Sequence, residues 1–222
     1  MADLALLAWG TLVGVDLVSV PQMMIARPLV AGTIAGTLLG DVETGLRIGV
    51  VFELFQFDIL PIGAVRYPEY GPATVAAVAA AFWSGGPLAT GIGVGVGLLV
   101  GLLGGVSLHW LRTANARAVR AASTALEAGD VRALERVHIG GLLRDAGRAG
   151  AVTAAGLVVA RLVPLLGVAR WSPGALVLAA AAAAGAALAS GGTGLPRLVG
   201  RGPYLKWLAA GLAAGTVVAW VA

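Results

Sequence analysis

Residues 71–111 contain no Asp, Glu, Lys or Arg, and His109 is the only ionisable side chain among them. A helix needs roughly 20 apolar residues to cross the hydrocarbon core of a bilayer. The stretch therefore predicts two crossings, with Ser84-Gly85-Gly86-Pro87 as the turn between them. Residues 171–196 are likewise uncharged, and residues 207–222 form a last apolar run. Hydrophobic residues make up 59% of the chain and charged residues 12%, with a mean hydropathy of +0.91. No segment is polar enough to clothe a soluble core. The expectation is an all-α, polytopic membrane protein in which residues 1–222 form one membrane-embedded domain.

The net charge of +4 and the isoelectric point near 10.3 raise the question of nucleic acid. The distribution answers it. Seven arginines (Arg112, Arg117, Arg120, Arg132, Arg136, Arg144 and Arg148) fall in residues 112–148 beside four acids. An arginine excess in a short loop is what places it in the cytoplasm, so 112–148 reads as a cytoplasmic connector and no nucleic acid is expected. With two histidines and no cysteine, no metal site is expected, and no other cofactor is called for. The N-terminus lacks a basic n-region and a small-residue cleavage site, so residues 4–20 read as a retained membrane segment. Localisation in the cell (inner) membrane, multi-pass, follows.

About seven hydrophobic segments can be traced. Residues 4–20 carry Asp16 and stop at Pro21; residues 28–40 are too short to span alone and read as a half-helix or re-entrant arm. Residues 45–62, 72–82 and 88–111 follow. The connector holds two helical stretches, 115–127 and 131–143, and residues 149–168, 173–189 and 207–222 complete the set. Gly93, Gly97, Gly101 and Gly105 recur every four residues, as do Gly32, Gly36 and Gly40. On a helix each set makes a smooth stripe, a packing device that lets a neighbouring backbone come close.

Residues 27–70 combine these glycines with Pro28, Pro61 and charges at Asp41, Glu43, Arg47, Glu53, Asp58 and Arg66. Charged groups at membrane depth are costly and line polar pathways or pair with each other, and short, interrupted segments point to a transporter's binding site. Glu53 lies in Val50-Val51-Phe52-Glu53-Leu54-Phe55, where plain solvation explains it least. It suits a sugar hydroxyl, a proton, or an arginine such as Arg27. Asp58 either lines the site or caps a break near Pro61. Asp41 reads equally as an N-cap, and Arg27-Pro28 as the start of a helix.

Arg27-Pro28-Leu29-Val30-Ala31-Gly32-Thr33, Gly36, Leu39-Gly40-Asp41, Thr44-Gly45, Glu53-Leu54 and Pro61-Ile62-Gly63-Ala64 together resemble a known signature. It is that of the IIC component of the mannose/fructose/sorbose family of bacterial phosphotransferase-system (PTS) sugar permeases. Leu126-Glu127-Ala128-Gly129-Asp130 and Val137-His138 resemble that family's connector more loosely. The resemblance implies a helical membrane subunit of a sugar permease, forming part of the sugar site and path. It also implies a IID membrane partner, IIA and IIB phosphocarrier subunits, an oligomeric assembly, and phosphoryl chemistry on the partners rather than on this chain. Glu53, Asp58, Arg27 and Asp41 are then candidate substrate contacts, and so is Gln22, displaced from the family's usual Gln position. Tyr67-Pro68-Glu69 stands where the family has Pro-Pro-Asp, and Phe57-Asp58 where it has Leu-Gly. Two alternatives stay open: a divergent, non-transporting membrane partner of the same fold, and an unrelated ion- or proton-coupled transporter using Glu53 and Asp58.

Overall fold

A computed structural model describes residues 1–56, Ile59 and 67–167. Among these residues every regular element is helical. The elements are α1 (Ala2–Asp16), α2 (Pro28–Leu39), α3 (Val42–Gln56), α4 (Tyr70–Ser84), α5 (Ala89–Ala121), α6 (Ser123–Glu127) and α7 (Val131–Leu162), with a 3-10 turn at Val163–Leu166. The segments expected at 173–189 and 207–222, and the break expected near Pro61, lie outside the described residues.

The centre of the bundle is α4, in which every residue from Tyr70 to Ala81 is buried. Its composition explains this. Apart from Pro72, residues 71–81 are all Ala, Gly, Thr or Val, and small side chains let neighbouring backbones approach closely. It packs against α1, α2, α3, α5 and α7. The glycine stripe of α5 is what brings that helix close. A Cβ at Gly93 would lie 2.5 Å from the Ala77 carbonyl oxygen, and one at Gly97 would lie 2.8 Å from the Ala77 Cβ. Gly101 faces the Tyr70 ring, whereas Gly95, off the stripe, faces open space.

Helices α2 and α3 form a tight hairpin. Pro28 starts α2, and Gly40, at φ +77°, ends it in the left-handed conformation that glycine adopts without cost. Asp41 then caps α3 by accepting from the Thr44 N–H at 3.0 Å. At 1.5 Å per residue the arms of 12 and 15 residues are about 18 and 22 Å long, too short to cross a roughly 30 Å core singly. The short α2 arm agrees with the half-helix alternative expected of residues 28–40. Glycine makes the hairpin close: a Cβ at Gly32 would sit 2.6 Å from the Gly45 carbonyl, and one at Gly36 would sit 2.8 Å from the Gly45 Cα.

Several boundaries differ from those read from sequence. Helix α1 stops at Asp16 rather than continuing to Val20, because the Asp16 carboxylate turns the chain back on itself. It accepts the backbone N–H groups of Met23 at 2.6 Å and Ala26 at 3.1 Å. The connector is not a separate pair of helices. Helix α5 runs unbroken from the apolar span through Ala121, and α7 unbroken from Val131 through Leu162. With 33 and 32 residues each is about 48–50 Å long, so both can cross the hydrocarbon core and project beyond it. Polarity changes along each helix without ending it, since backbone hydrogen bonding is indifferent to whether the outer surface meets lipid or water.

Candidate functional site

Arg27 and Glu53 meet at the base of the α2–α3 hairpin. Arg27 is the N-cap of α2, and its extended backbone sends the side chain toward the last turn of α3. There its guanidinium donates to Glu53 Oε1, while Glu53 Oε2 accepts the Leu29 N–H at 3.2 Å. The carboxylate therefore sits at the N-terminal end of α2, where unpaired N–H groups and the helix dipole favour negative charge. Glu53 is 22% exposed and Arg27 42%, so the pair is half-buried and reachable. A guanidinium has five N–H donors and a carboxylate about four acceptor positions. The two groups can hold each other and still present donors and acceptors to a hydroxyl-rich ligand.

The other candidates lie elsewhere. Asp41 is at the tip of the hairpin, the length of α2 away from Arg27, and is engaged as the α3 cap. Gln22 is exposed, in a left-handed backbone conformation (φ 58°) within the loop of residues 17–27. Asp58 lies outside the described residues.

Close to the end of α3 is a small cavity lined by Leu17, Gln56, Ile59, Tyr67, Pro68 and Tyr70. Its polar groups are the Gln56 amide and two phenols. Tyr70 packs on Phe52 with ring centroids 5.5 Å apart, and Tyr67 accepts from Arg112 at 3.1 Å while that guanidinium lies 5.3 Å from the Tyr67 ring. At about 10 Å³ the cavity has room for roughly one water and not for a hexose.

Behind this cavity is a buried charge cluster that sequence reading missed. Arg148 of α7 donates to Glu69 through Nη1 at 2.6 Å and Nη2 at 2.9 Å, and to Asp145 Oδ1 through Nε at 2.9 Å. It also reaches Ser107 Oγ at 3.1 Å and the Gly14 carbonyl at 3.4 Å. The free side of Asp145 accepts from Ser19 Oγ at 2.5 Å. The Glu69 and Asp145 side chains are 0% exposed and that of Arg148 is 8% exposed. In the sequence alone Glu69 reads as a departure from the family motif, and Asp145 and Arg148 as part of the cytoplasmic connector. Two signals pointed inward: Glu69 stands just before the uncharged stretch 71–111, and Arg148 just before the apolar run 149–168.

At the opposite end of α7, Arg161 forms an ion pair with Asp3 at 2.8 Å and stacks 3.7 Å from the Trp83 ring centre, tying α1, α4 and α7 together. No group of three or more metal-ligating side chains occurs among the described residues.

Comparison with known proteins adds lineage to this geometry. The profile of a family described as the PTS system sorbose-specific IIC component matches residues 2–195. A PTS sorbose-specific EIIC component of Klebsiella pneumoniae is 29% identical over 116 residues, covering 52% of this chain and 43% of that protein. A PTS mannose-specific EIIC component of Escherichia coli K12 is 29% identical over 127 residues, covering 57% and 47%. A fructose permease IIC component of Bacillus subtilis is 29% identical over 113 residues, covering 51% and 41%. The matched region thus spans a little under half the length of these relatives. Among solved structures, a chain of the mannose transporter ManYZ, determined with microcin E492, superposes with a TM-score of 0.61 at 18% identity, covering 99% of this chain and 93% of that one. A second, described as a membrane protein, superposes with a TM-score of 0.68 at 20% identity, covering 99% and 92%. At these identities the superpositions speak for the fold.

Proposed function

This chain belongs to the family of PTS sorbose-specific IIC components, and we infer that it is the membrane subunit of a phosphotransferase-system sugar permease. In this reading it supplies part of the sugar-binding site and of the translocation path for a hexose of the mannose, fructose or sorbose type. It works in the inner membrane as a multi-pass subunit beside a IID partner. The IIA and IIB partners carry the phosphoryl group, so the chain itself is a transporter subunit and not an enzyme.

The observation that carries this reading is the Arg27–Glu53 pair at the base of a short-armed hairpin, inside the matched region. The pair offers donors and acceptors together in a half-buried setting, which is what a polyhydroxylated ligand requires. Binding to neutral hydroxyls also leaves no net charge to strand, since each carboxylate or guanidinium contact is already balanced by its partner.

The test is sugar binding by the purified chain with its IID partner, followed by calorimetry with mannose, fructose and sorbose. Saturable binding of at least one hexose, weakened by Glu53→Ala, is the expected result. Absence of binding by the wild-type complex to all three would overturn the reading.

A further inference from the structure

The Glu69–Arg148–Asp145 cluster touches none of the cavity, yet both of its carboxylates lead there. Glu69 is contiguous in sequence with Tyr67, Pro68 and Tyr70, which line the cavity. Its own backbone N–H is fixed to the Gly101 carbonyl of α5 at 2.9 Å. Asp145 leads the other way. It holds Ser19, two residues beyond the lining residue Leu17, in the loop of residues 17–27 that ends at Arg27. Arg148 is common to both, and its bond to the Gly14 carbonyl adds the last turn of α1, from which that loop departs.

From this arrangement we propose that Arg148 is a positioning residue: it sets the loop of residues 17–27 and the 67–70 segment relative to each other, and thereby the affinity of the site for sugar. The sugar-affinity half of this rests on the permease reading; the loop-positioning half stands without it. The geometry favours positioning over plain stabilisation. A guanidinium serving only to neutralise one acid would need one carboxylate, whereas here it is planar, five-donor and shared between two, on segments far apart in sequence. Lysine, with three donors on a single nitrogen, cannot keep the two-pronged hold on Glu69 together with the separate Nε bond to Asp145. The loop packs on the core through Leu17, Val18 and Ala26 and is tied to α3 at Arg27, and Ser19 ties it to α7. Gln22 and Met24 both have positive φ, a conformation that non-glycine residues keep only when surrounding contacts impose it. Those contacts include the Asp16 carboxylate, which accepts from Met23 and Ala26, and Ser19, which donates to Asp145.

Two variants probe the device without removing its charge: Arg148→Lys, and Ser19→Ala, which cuts only the link to the loop. Uptake kinetics should show the sugar concentration for half-maximal transport rising about tenfold in Arg148→Lys and about threefold in Ser19→Ala, with maximal rate per membrane-inserted molecule unchanged. A role in stability alone would lower the amount inserted or the maximal rate and leave half-saturation where it was. A second readout needs no sugar. The chain has no cysteine, so spin labels at Val20→Cys in the loop and Val106→Cys on α5, both exposed, report the loop's position directly. A narrow distance distribution in the otherwise wild-type protein should broaden or shift in Arg148→Lys and in Ser19→Ala. Unchanged distances in both variants would overturn the proposal. A wild-type protein that moves no sugar would sink the permease reading, and the label distances would still decide whether Arg148 positions the loop.

Discussion

Arg148 and Glu69 stand 79 residues apart in the chain and form a two-pronged ion pair inside the bundle, with both contacts under 3.0 Å. A second carboxylate, Asp145, shares the same guanidinium. The arrangement makes the three members unequal. Loss of Glu69 leaves Arg148 paired with Asp145, whereas loss of Arg148 strands two buried acids.

Arg148→Met should therefore destabilise the fold by about 3–5 kcal/mol, the usual cost of leaving a buried charge without its partner. Glu69→Gln should cost roughly 1–3 kcal/mol, because an amide can still accept from the guanidinium. Unfolding titrations in mixed detergent micelles give both numbers. Equal costs, or the reverse order, would mean that the cluster is not organised around Arg148.

Glycine substitutions separate packing from composition. Gly36→Ala places a Cβ 2.8 Å from the Gly45 Cα, backbone that cannot swing aside, and should loosen or misfold the α2–α3 hairpin. Gly95→Ala, which meets nothing within 4 Å, should be neutral or slightly stabilising, since alanine is the better helix former. Melting temperatures of the two variants check this directly. If both behave alike, the close hairpin is wrong.

How far these features can be read from sequence depends on the range of the interaction that makes them. The hairpin was legible because its determinants are local: Pro28 opens α2, Gly40 closes it, and Asp41 caps α3 within a dozen or so residues. Glu53 was legible as a charge without solvation, with Arg27 an available partner. The continuity of α5 and α7 was hidden, since an arginine-rich surface looks like a break when the helix merely leaves the lipid. The Glu69–Arg148–Asp145 cluster was hidden for a different reason: nothing in one sequence says which carboxylate a distant arginine will meet.

Arg27 and Glu53 should behave as a coupled pair in transport. Glu53→Gln keeps the shape and removes the charge. Because the pair is half-exposed, the loss of sugar affinity belongs at the lower end of the roughly 1.5–3 kcal/mol for a charged hydrogen bond, about tenfold. Exchanging the two (Arg27→Glu with Glu53→Arg) should not restore function, since an arginine at 53 has no acceptor for the Leu29 N–H that Glu53 Oε2 now takes. A double-mutant cycle on half-saturation checks both points, and additive effects would separate the residues.

Sidedness follows from helix length and charge. Ser123 lies beyond the end of α5 that carries Arg117 and Arg120, and Gly86 lies before its other end. In the cysteine-free chain, Ser123→Cys should resist an impermeant thiol reagent applied to intact cells, while Gly86→Cys should react. Labelling of Ser123→Cys from outside would invert the topology.

As the inferred membrane subunit of a sugar permease, this chain should be required for hexose entry, and uptake measures that requirement. Cells lacking their own permeases of this type would receive the IIA, IIB and IID partners with or without this chain, and accumulation of labelled mannose, fructose and sorbose would be followed. Uptake of at least one hexose, recovered inside as its phosphate, is expected only when this chain is present, and it should fall at limiting sugar in Glu53→Gln. Uptake no greater with the chain than without it, at verified membrane expression of all partners, would show that the chain is not the sugar-translocating subunit.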